Sequence, residues 1–332
     1  MSVTAKQIAR QLNLSEAAVS MALNHKPGVS TRTRHRVLET AKSLGYDFSK
    51  HSSPGTSPGL IYFLYYNKLD IFTMPFFKEL IRGVEDAIDN SGYRLCHQHL
   101  YAVDDIEEQL ERLSLPGSDG IILLGTQMTR EDFAPFAFLN HPIVLVDTGI
   151  SSVKADCVQI NNMEGARAAT DYLIKKRHRQ PGYLRSCYPL NNFEERADGF
   201  FKAIRQNGMS PSHSVIHRLG STVDAAYADM LAVLDAGEPL ASCYFADNDD
   251  LAIGAMKALK ERGYRVPEDI SLIGFDNTPF SAYVDPPLTT VNVPKYYMGQ
   301  LAAQRILSVL KAAEFHPVKV EVTANLIIRG SV

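Results

Sequence analysis

A chain of 332 residues with 45% hydrophobic and 21% charged residues has the make-up of a soluble globular protein and is too long for one ordinary compact domain. It contains no apolar run of about 18 residues, and its first stretch, MSVTAKQIARQLN, has no secretory core, so a membrane span and export are excluded and the cytoplasm is expected. The net charge of −3 hides an asymmetry: residues 1–50 hold eight Lys and Arg against three acids, a balance of +5 that leaves −8 for the remainder, and such a basic head on an acidic body is suited to meet a polyanion.

The first 45 residues carry three helical signals. Thr4 with Gln7 forms a capping box ahead of AKQIARQL, which places Ile8, Ala9 and Leu12 on one face. Asn13-Leu14 breaks that helix, and Ser15 can cap a second one, EAAVSMALN. Lys26-Pro27-Gly28 reads as a turn, Ser30 caps TRTRHRVLETAKSL, and Gly45 closes it. Two short helices joined by a tight turn and followed by a third form a helix-turn-helix bundle. In such a bundle the second helix enters the major groove, so Ser15, Glu16, Ala17, Ser20 and Met21 are expected to face DNA, with Val19 and Leu23 in the core. Lys26, Arg32, Arg34 and Arg36 are placed for phosphates, and Thr4 and Asn24 complete the DNA-facing set.

Residues 47–59, DFSKHSSPGTSPG, are a linker by composition. From Leu60 onward, apolar runs alternate with amphipathic stretches. The runs are LIYFLYY, YRLCHQHL, GIILLG, PIVLVD, CVQI, GYL, SVIHRL, SCYFA and SLIGF, and strand returns in VKVEVTANLIIRG. FFKELIRGVEDAIDNSG and MEGARAATDYLIKKR are helical between them. Parallel sheets covered on both faces are the expectation, in two doubly wound lobes. Cys96, Cys157, Cys187 and Cys243 have no metal or disulfide spacing and read as small buried hydrophobes. The basic run Lys175 to Arg179 favours the end of a helix and is read as solvated.

No nucleophile elbow, phosphate loop, zinc-protease helix or dinucleotide fingerprint occurs, and Asp247, Asp249 and Asp250 fit a helix start better than an acid–base pair. An enzyme is therefore not expected, and neither is a cofactor or a metal. A secreted transport protein is opposed by the basic head.

VTAKQIARQLNLSEAAVSMALNHKPGVSTRTRHRVLETAKSLGY resembles the headpiece of the lactose-repressor (LacI/GalR) family along its whole length. The body resembles the family in MPFFKELIRGVEDAIDNSGYRL, FADNDDLAIGAMKAL, SLIGFDNTPFSAYVDPPLTTVNVP and the closing LIIRGSV. The resemblance implies an α/β fold of two Rossmann-like lobes, periplasmic-binding-protein-like, behind a small all-α headpiece. The expected units are residues 1–46 as headpiece, 47–59 as linker and 60–332 as body; the N-lobe takes about 60–160 and 292–322, the C-lobe about 161–291 and 323–332. It further implies a repressor that binds a near-palindromic double-stranded DNA operator as a homodimer. No heptad tail follows LIIRGSV, so a tail-assembled tetramer is not expected. The effector implied is a sugar in the first place, with a nucleoside or purine as the alternative.

Two features depart from the family. Met21 stands where an Arg usually reads a base, so an altered operator is expected. The linker lacks the Ala-Arg-x-Leu hinge whose Leu wedges into the minor groove.

Open α/β sheets bind ligands at the carboxyl ends of their strands, where Asp147, Asn248 and Asp276 fall. The resemblance adds Arg196, in the Arg-x-x-Gly-Phe pattern that holds the effector, and Phe76 and Phe77 as an apolar wall. Asn192 and Ser221 lie near further family contact positions. Asp249 reads as a helix cap, and the long loop YNKLDIFTM is placed to reshape one side of the pocket.

Overall fold

The computed structural model describes residues 3–23, 28–44, 46, 59–69, 71–72, 75–89, 91–113, 118–139, 141–150, 153, 155–312, 314 and 316–332. The headpiece is three helices, α1 (Ala5–Leu12), α2 (Glu16–Leu23) and α3 (Thr31–Ser43). Local chemistry sets their ends. Gln7 Oε1 accepts from the Thr4 backbone N–H at 2.8 Å, and Asn13 closes α1 in the left-handed region at φ 55°. Ser15 Oγ accepts from the Ala18 N–H at 3.1 Å, and Ser30 Oγ accepts from the Thr33 N–H at 3.2 Å. Ile8, Ala9, Val19, Ala22, Leu23, Val37, Leu38 and Ala41 close one small core between the helices. Gly45 and the linker through residue 58 lie outside the described residues.

The body is built on two six-stranded sheets. The first contains β1 (Gly59–Asn67), β2 (Tyr93–Tyr101), β3 (Ser118–Leu124), β4 (Ile143–Val146), β5 (Asp156–Ile160) and β11 (Lys319–Val322), in the order β11-β5-β4-β3-β1-β2. The second contains β6 (Gly182–Ser186), β7 (Ile216–Leu219), β8 (Cys243–Ala246), β9 (Ser271–Asp276), β10 (Thr289–Asn292) and β12 (Asn325–Ile327), in the order β12-β10-β9-β8-β6-β7. Every pairing is parallel except β10 with β12. The chain passes between the sheets three times, after β5, β10 and β11.

The helices of the first sheet are α4 (Pro75–Asp89), α5 (Ile106–Arg112) and α10 (Lys295–Lys311); those of the second are α6 (Asn162–Arg177), α7 (Asn191–Gln206), α8 (Val223–Asp235) and α9 (Asp249–Glu261). Strands buried on both faces explain the continuous apolar runs: β3 and β4 are buried over Gly120–Leu124 and Ile143–Val146. Helices α4 and α10 pack backbone to backbone through glycines. A Cβ on Gly83 would stand 2.0 Å from the Tyr296 carbonyl oxygen, and one on Gly299 would stand 2.0 Å from that of Leu80. In each sheet the order reverses beside the first strand, at β1/β3 and at β6/β8. That reversal opens a crevice at the carboxyl ends of the strands.

Three readings of the sequence need correction. Strand β10 was not among the expected runs: Thr289–Asn292 is short, lies close to prolines on both sides and gains its partners only from β9 and β12. Cys157 and Cys243 are buried and Cys96 is partly so, but Cys187 is exposed, because it follows β6 at the open end of the sheet. The cap of α9 is Asn248, whose Oδ1 accepts from the Leu251 N–H at 3.0 Å; Asp249 turns inward instead, to the Thr278 N–H at 2.6 Å and the Thr290 hydroxyl. The basic run closes α6, with His178 in the left-handed region and Arg177 donating to the Glu268 carbonyl at 3.0 Å. Among the described residues, no helix is long and apolar enough to cross a membrane, and no cluster of His, Cys, Asp and Glu is arranged to hold a metal ion.

Candidate functional site

A cavity of about 420 Å³ opens at the carboxyl ends of both sheets, within the range of small-molecule sites. Phe76, Phe77, Asp147, Asn192, Arg196, Ser221, Asn248 and Asp276 all line it. The fold brings them together from strand ends and helix starts. Asp147 follows β4, Asp276 ends β9, Ser221 lies past β7 and Asn248 past β8. Asn192 and Arg196 stand one turn apart on α7, and Phe76 and Phe77 open α4.

Arg196 organises the polar floor. It is 3% exposed, and its three nitrogens each donate within the protein: Nε to Asn162 Oδ1 at 2.9 Å, one Nη to the Asp247 carbonyl, the other to Asp276 Oδ1 at 3.3 Å. Its guanidinium lies 3.8 Å from the centre of the Phe275 ring. Asp147 accepts from the Thr126 hydroxyl at 2.7 Å and from Asn192 Nδ2 at 3.2 Å. Asp147 and Asp276 are non-glycine residues with positive φ, 60° and 102°. Backbone of that kind persists where surrounding contacts over-determine it, and here it turns both carboxyls toward the cavity.

Burial dominates the electrostatics. It pushes the Asp147 carboxyl up to about 7, against the Thr126 hydrogen bond and the Arg196 charge. It raises Asp276 as well, opposed by Arg196 and Lys295. Behind the lining, burial pushes Asp247 and Asp249 up to about 7, although both are tied by hydrogen bonds, Asp247 to the Tyr183 hydroxyl and to the Ser186 N–H at 2.6 Å. Asp250 rises to about 6 through burial and the neighbouring Asp276. No pair of these carboxyls faces the cavity with a hydrogen-bonded nucleophile between them. The carboxyls can accept from hydroxyls, and Ser221, Asn248 and the second N–H of each Arg196 Nη can donate to them, which suits recognition of a neutral polyol.

The opposite wall is apolar. Phe76 and Phe77 meet edge to face at 5.0 Å, and Phe72 meets Phe77 at 4.9 Å. Sequence reasoning did not single out Leu69, Ile71, Thr126, Tyr188 and Phe193, which also line the cavity. Thr126 follows β3 as Asp147 follows β4, so the strand-end rule could have found it. Leu69 and Ile71 belong to the long loop after β1, and Tyr188 and Phe193 carry no signal that separates them from core.

On the headpiece, Thr4, Ser15, Glu16, Ala17 and Ser20 are exposed on one side of α1 and α2, while Val19 and Leu23 are buried. Glu16 lies 3.8 Å from Lys6 across the two helices. Met21 is half-buried and leans to the turn; a Cβ on Gly28, which has φ +105°, would be 3.4 Å from its sulfur. Arg36 is exposed and Arg34 half-buried, its pKa lowered by burial against the favourable charge of Glu111. Asn24, Lys26 and the Arg32 side chain lie outside the described residues.

Comparison with known proteins gives a consistent picture. Residues 4–48 match the family described as bacterial regulatory proteins, lacI family, and residues 170–332 match the periplasmic binding protein-like domain. The probable HTH-type transcriptional repressor ExuR of Bacillus subtilis is 29% identical, over 99% of this chain and 98% of its own. The transcriptional regulator CelR in complex with cellobiose superposes with a TM-score of 0.73 at 26% identity, over 99% of this chain and 100% of that one. The lac repressor dimer bound to operator and the anti-inducer ONPF gives 0.74 at 21% identity, over 100% and 99%, a likeness of fold.

Proposed function

Because the chain belongs to the lacI family of bacterial regulatory proteins and is a DNA-binding transcriptional repressor, we propose that a small hydroxyl-rich effector, a sugar, enters the cavity between its lobes and sets its affinity for a near-palindromic operator. The observation that carries this reading is the convergence of eight residues, chosen by strand-end position and motif, on one cavity of about 420 Å³. Arg196 holds the Asp276 carboxyl in place, Asp147, Asp276, Asn192, Asn248 and Ser221 meet hydroxyls, and Phe76 and Phe77 cover the apolar side. Cellobiose in the CelR complex supports a sugar. The aromatic wall keeps a nucleoside as the second reading.

The mechanism is linkage. The cavity is walled by both sheets, so a ligand that fits one lobe arrangement better shifts the population toward it. In a homodimer that shift changes the spacing of two headpieces, whose α2 helices read two half-sites through Ser15, Glu16, Ala17, Ser20 and Met21. The exposed base-facing side of α2 and the basic balance of the head support this placement. We take residues 1–46, 47–59 and 60–332 as the working units, in the cytoplasm where the chromosome is.

The test is a thermal-shift screen of monosaccharides, disaccharides, nucleosides and purines. A ligand at about 100 times its Kd stabilises by about 2.7 kcal/mol, a shift of several degrees. A shift with one sugar class, lost in Arg196→Lys, is expected. A shift confined to purines or nucleosides would replace the sugar; no shift anywhere would remove the sensing role and leave the repressor.

A further inference from the structure

After β1, the described residues Lys68, Leu69, Ile71 and Phe72 form a strap beside the cavity, which Leu69 and Ile71 line. Gln127, 4% exposed, accepts on Oε1 from the Lys68 and Leu69 N–H groups at 2.8 Å each, and its Nε2 donates to the Leu69 carbonyl at 2.9 Å. The Ile71 N–H donates to the Leu69 carbonyl at 2.9 Å, and Phe72 is anchored between Tyr65 and Phe77. A buried amide that satisfies three backbone groups fixes the path of the chain at Lys68 and Leu69. The result is that Leu69 and Ile71, both only half-buried, line the cavity on the side of Phe76.

The charge of the lining is equally one-sided. Among the described residues that line the cavity, Arg196 is the one cation, against the carboxyls of Asp147 and Asp276. Each nitrogen of Arg196 already donates to the protein, and Phe275 covers one of its faces. Behind the lining, Lys295 adds one cation near Asp276, and Asp247, Asp249 and Asp250 add three carboxyls. An anion entering here meets like charge in a low-dielectric pocket whose one lining cation is already paired with Asp276 at 3.3 Å.

Resting on the small-molecule reading above, we propose that the effector is uncharged and two-faced: a hydroxylated ring seats on the Asp147–Asn192–Asp276 floor, and a planar apolar substituent seats against Leu69, Ile71 and Phe76. Aryl glycosides and nucleosides share that chemistry. Uronic acids and phosphorylated sugars are excluded by the floor, and bare sugars leave the strap without a contact. Gln127 is a positioning residue for the second half of the ligand.

Calorimetric titration of the full chain at about pH 8 tests this with matched triplets. In the glucose and galactose series each triplet is the free sugar, its nitrophenyl glycoside and its nitrophenyl uronide; in the ribose series it is ribose, adenosine and adenosine monophosphate. In one series the neutral, substituted member binds about tenfold tighter than the bare sugar and about a hundredfold tighter than the anion. The series that responds tells an aryl glycoside from a nucleoside. Leu69→Ser lowers the affinity ratio of the substituted member to the bare sugar from about ten to about one. Gln127→Ala does the same, provided its unfolding temperature matches that of Leu69→Ser to within a few degrees. An anion or a bare sugar that binds as tightly as the neutral, substituted member overturns the proposal and leaves the sensing role standing. Binding by no member of any series overturns both.

Discussion

The headpiece and the body place their working residues in opposite environments. At α2 Ser15, Glu16, Ala17 and Ser20, which we propose face DNA, are exposed, and the helix is held by a core on its other side. In the cavity, Arg196, Asp147 and Asn192 are buried; Asn192 donates to Asp147, and Arg196 donates to Asp276 and to Asn162, which in turn donates to Asn192. A surface reader can change specificity at little cost to the fold, whereas a buried recognition set is part of the fold it sits in.

The largest break of that contrast is Arg196→Ala. It leaves Asp147 buried without its counter-charge and Asp276 with Lys295 alone, and should destabilise the body by about 3–5 kcal/mol, read as a lower unfolding temperature, while abolishing effector response. Operator binding by the headpiece should survive at permissive temperature. Unchanged stability would mean that the floor is not held by this guanidinium.

The buried carboxyls give the next effect. A carboxyl in the unfolded chain titrates near pH 4, whereas Asp147, Asp247 and Asp249 titrate at about 7 in the fold. The native state then binds more protons between these values, so stability is greatest at the acid end of the window and falls as pH rises from about 4 to about 7. Unfolding temperatures across that window should decline, and Asp147→Asn should flatten the slope in part. A slope that this variant leaves unchanged would contradict the assignment.

Gly83→Ala sharpens the comparison inside the body, away from the cavity. The added methyl meets the Tyr296 carbonyl, so α4 and α10 must part, at about 1–3 kcal/mol, with effector selectivity retained once the protein is folded. In the headpiece, Ser15→Ala removes the α2 cap and should cost about 1 kcal/mol. The smallest change in stability belongs to Ser20→Ala, within about 0.5 kcal/mol, yet it should weaken operator binding measured by fluorescence anisotropy. Operator affinity unchanged in Ser20→Ala would take that residue off the reading face.

Much of this was legible in the residue order. Caps at Thr4, Ser15 and Ser30 act over three residues, so the headpiece helices could be placed without knowing their neighbours. Apolar runs such as GIILLG and PIVLVD had to be buried on both faces, and strand ends then pointed to Asp147 and Asp276. The harder residues depend on distant partners. Thr289–Asn292 becomes a strand only because β9 and β12 flank it. Asp249 was expected to cap α9, but Thr278 and Thr290, far along the chain, draw it inward and leave the cap to Asn248.

What the sequence determined by itself was the set of local elements, the basic reading head and the chemical types at the strand ends, because caps, periodicity and charge act over a few residues. What only the tertiary structure decided was which groups share one cavity and which are already spent on each other. Arg196 looks in sequence like a free cation for a ligand, but it is fixed in the floor by one hydrogen bond from each nitrogen, to Asn162, Asp247 and Asp276. Leu69 and Ile71 look like loop residues until Gln127, 58 positions from Leu69, fixes them against the cavity. Such commitments are made across the sheets, where burial removes water as an alternative partner and distance along the chain no longer matters.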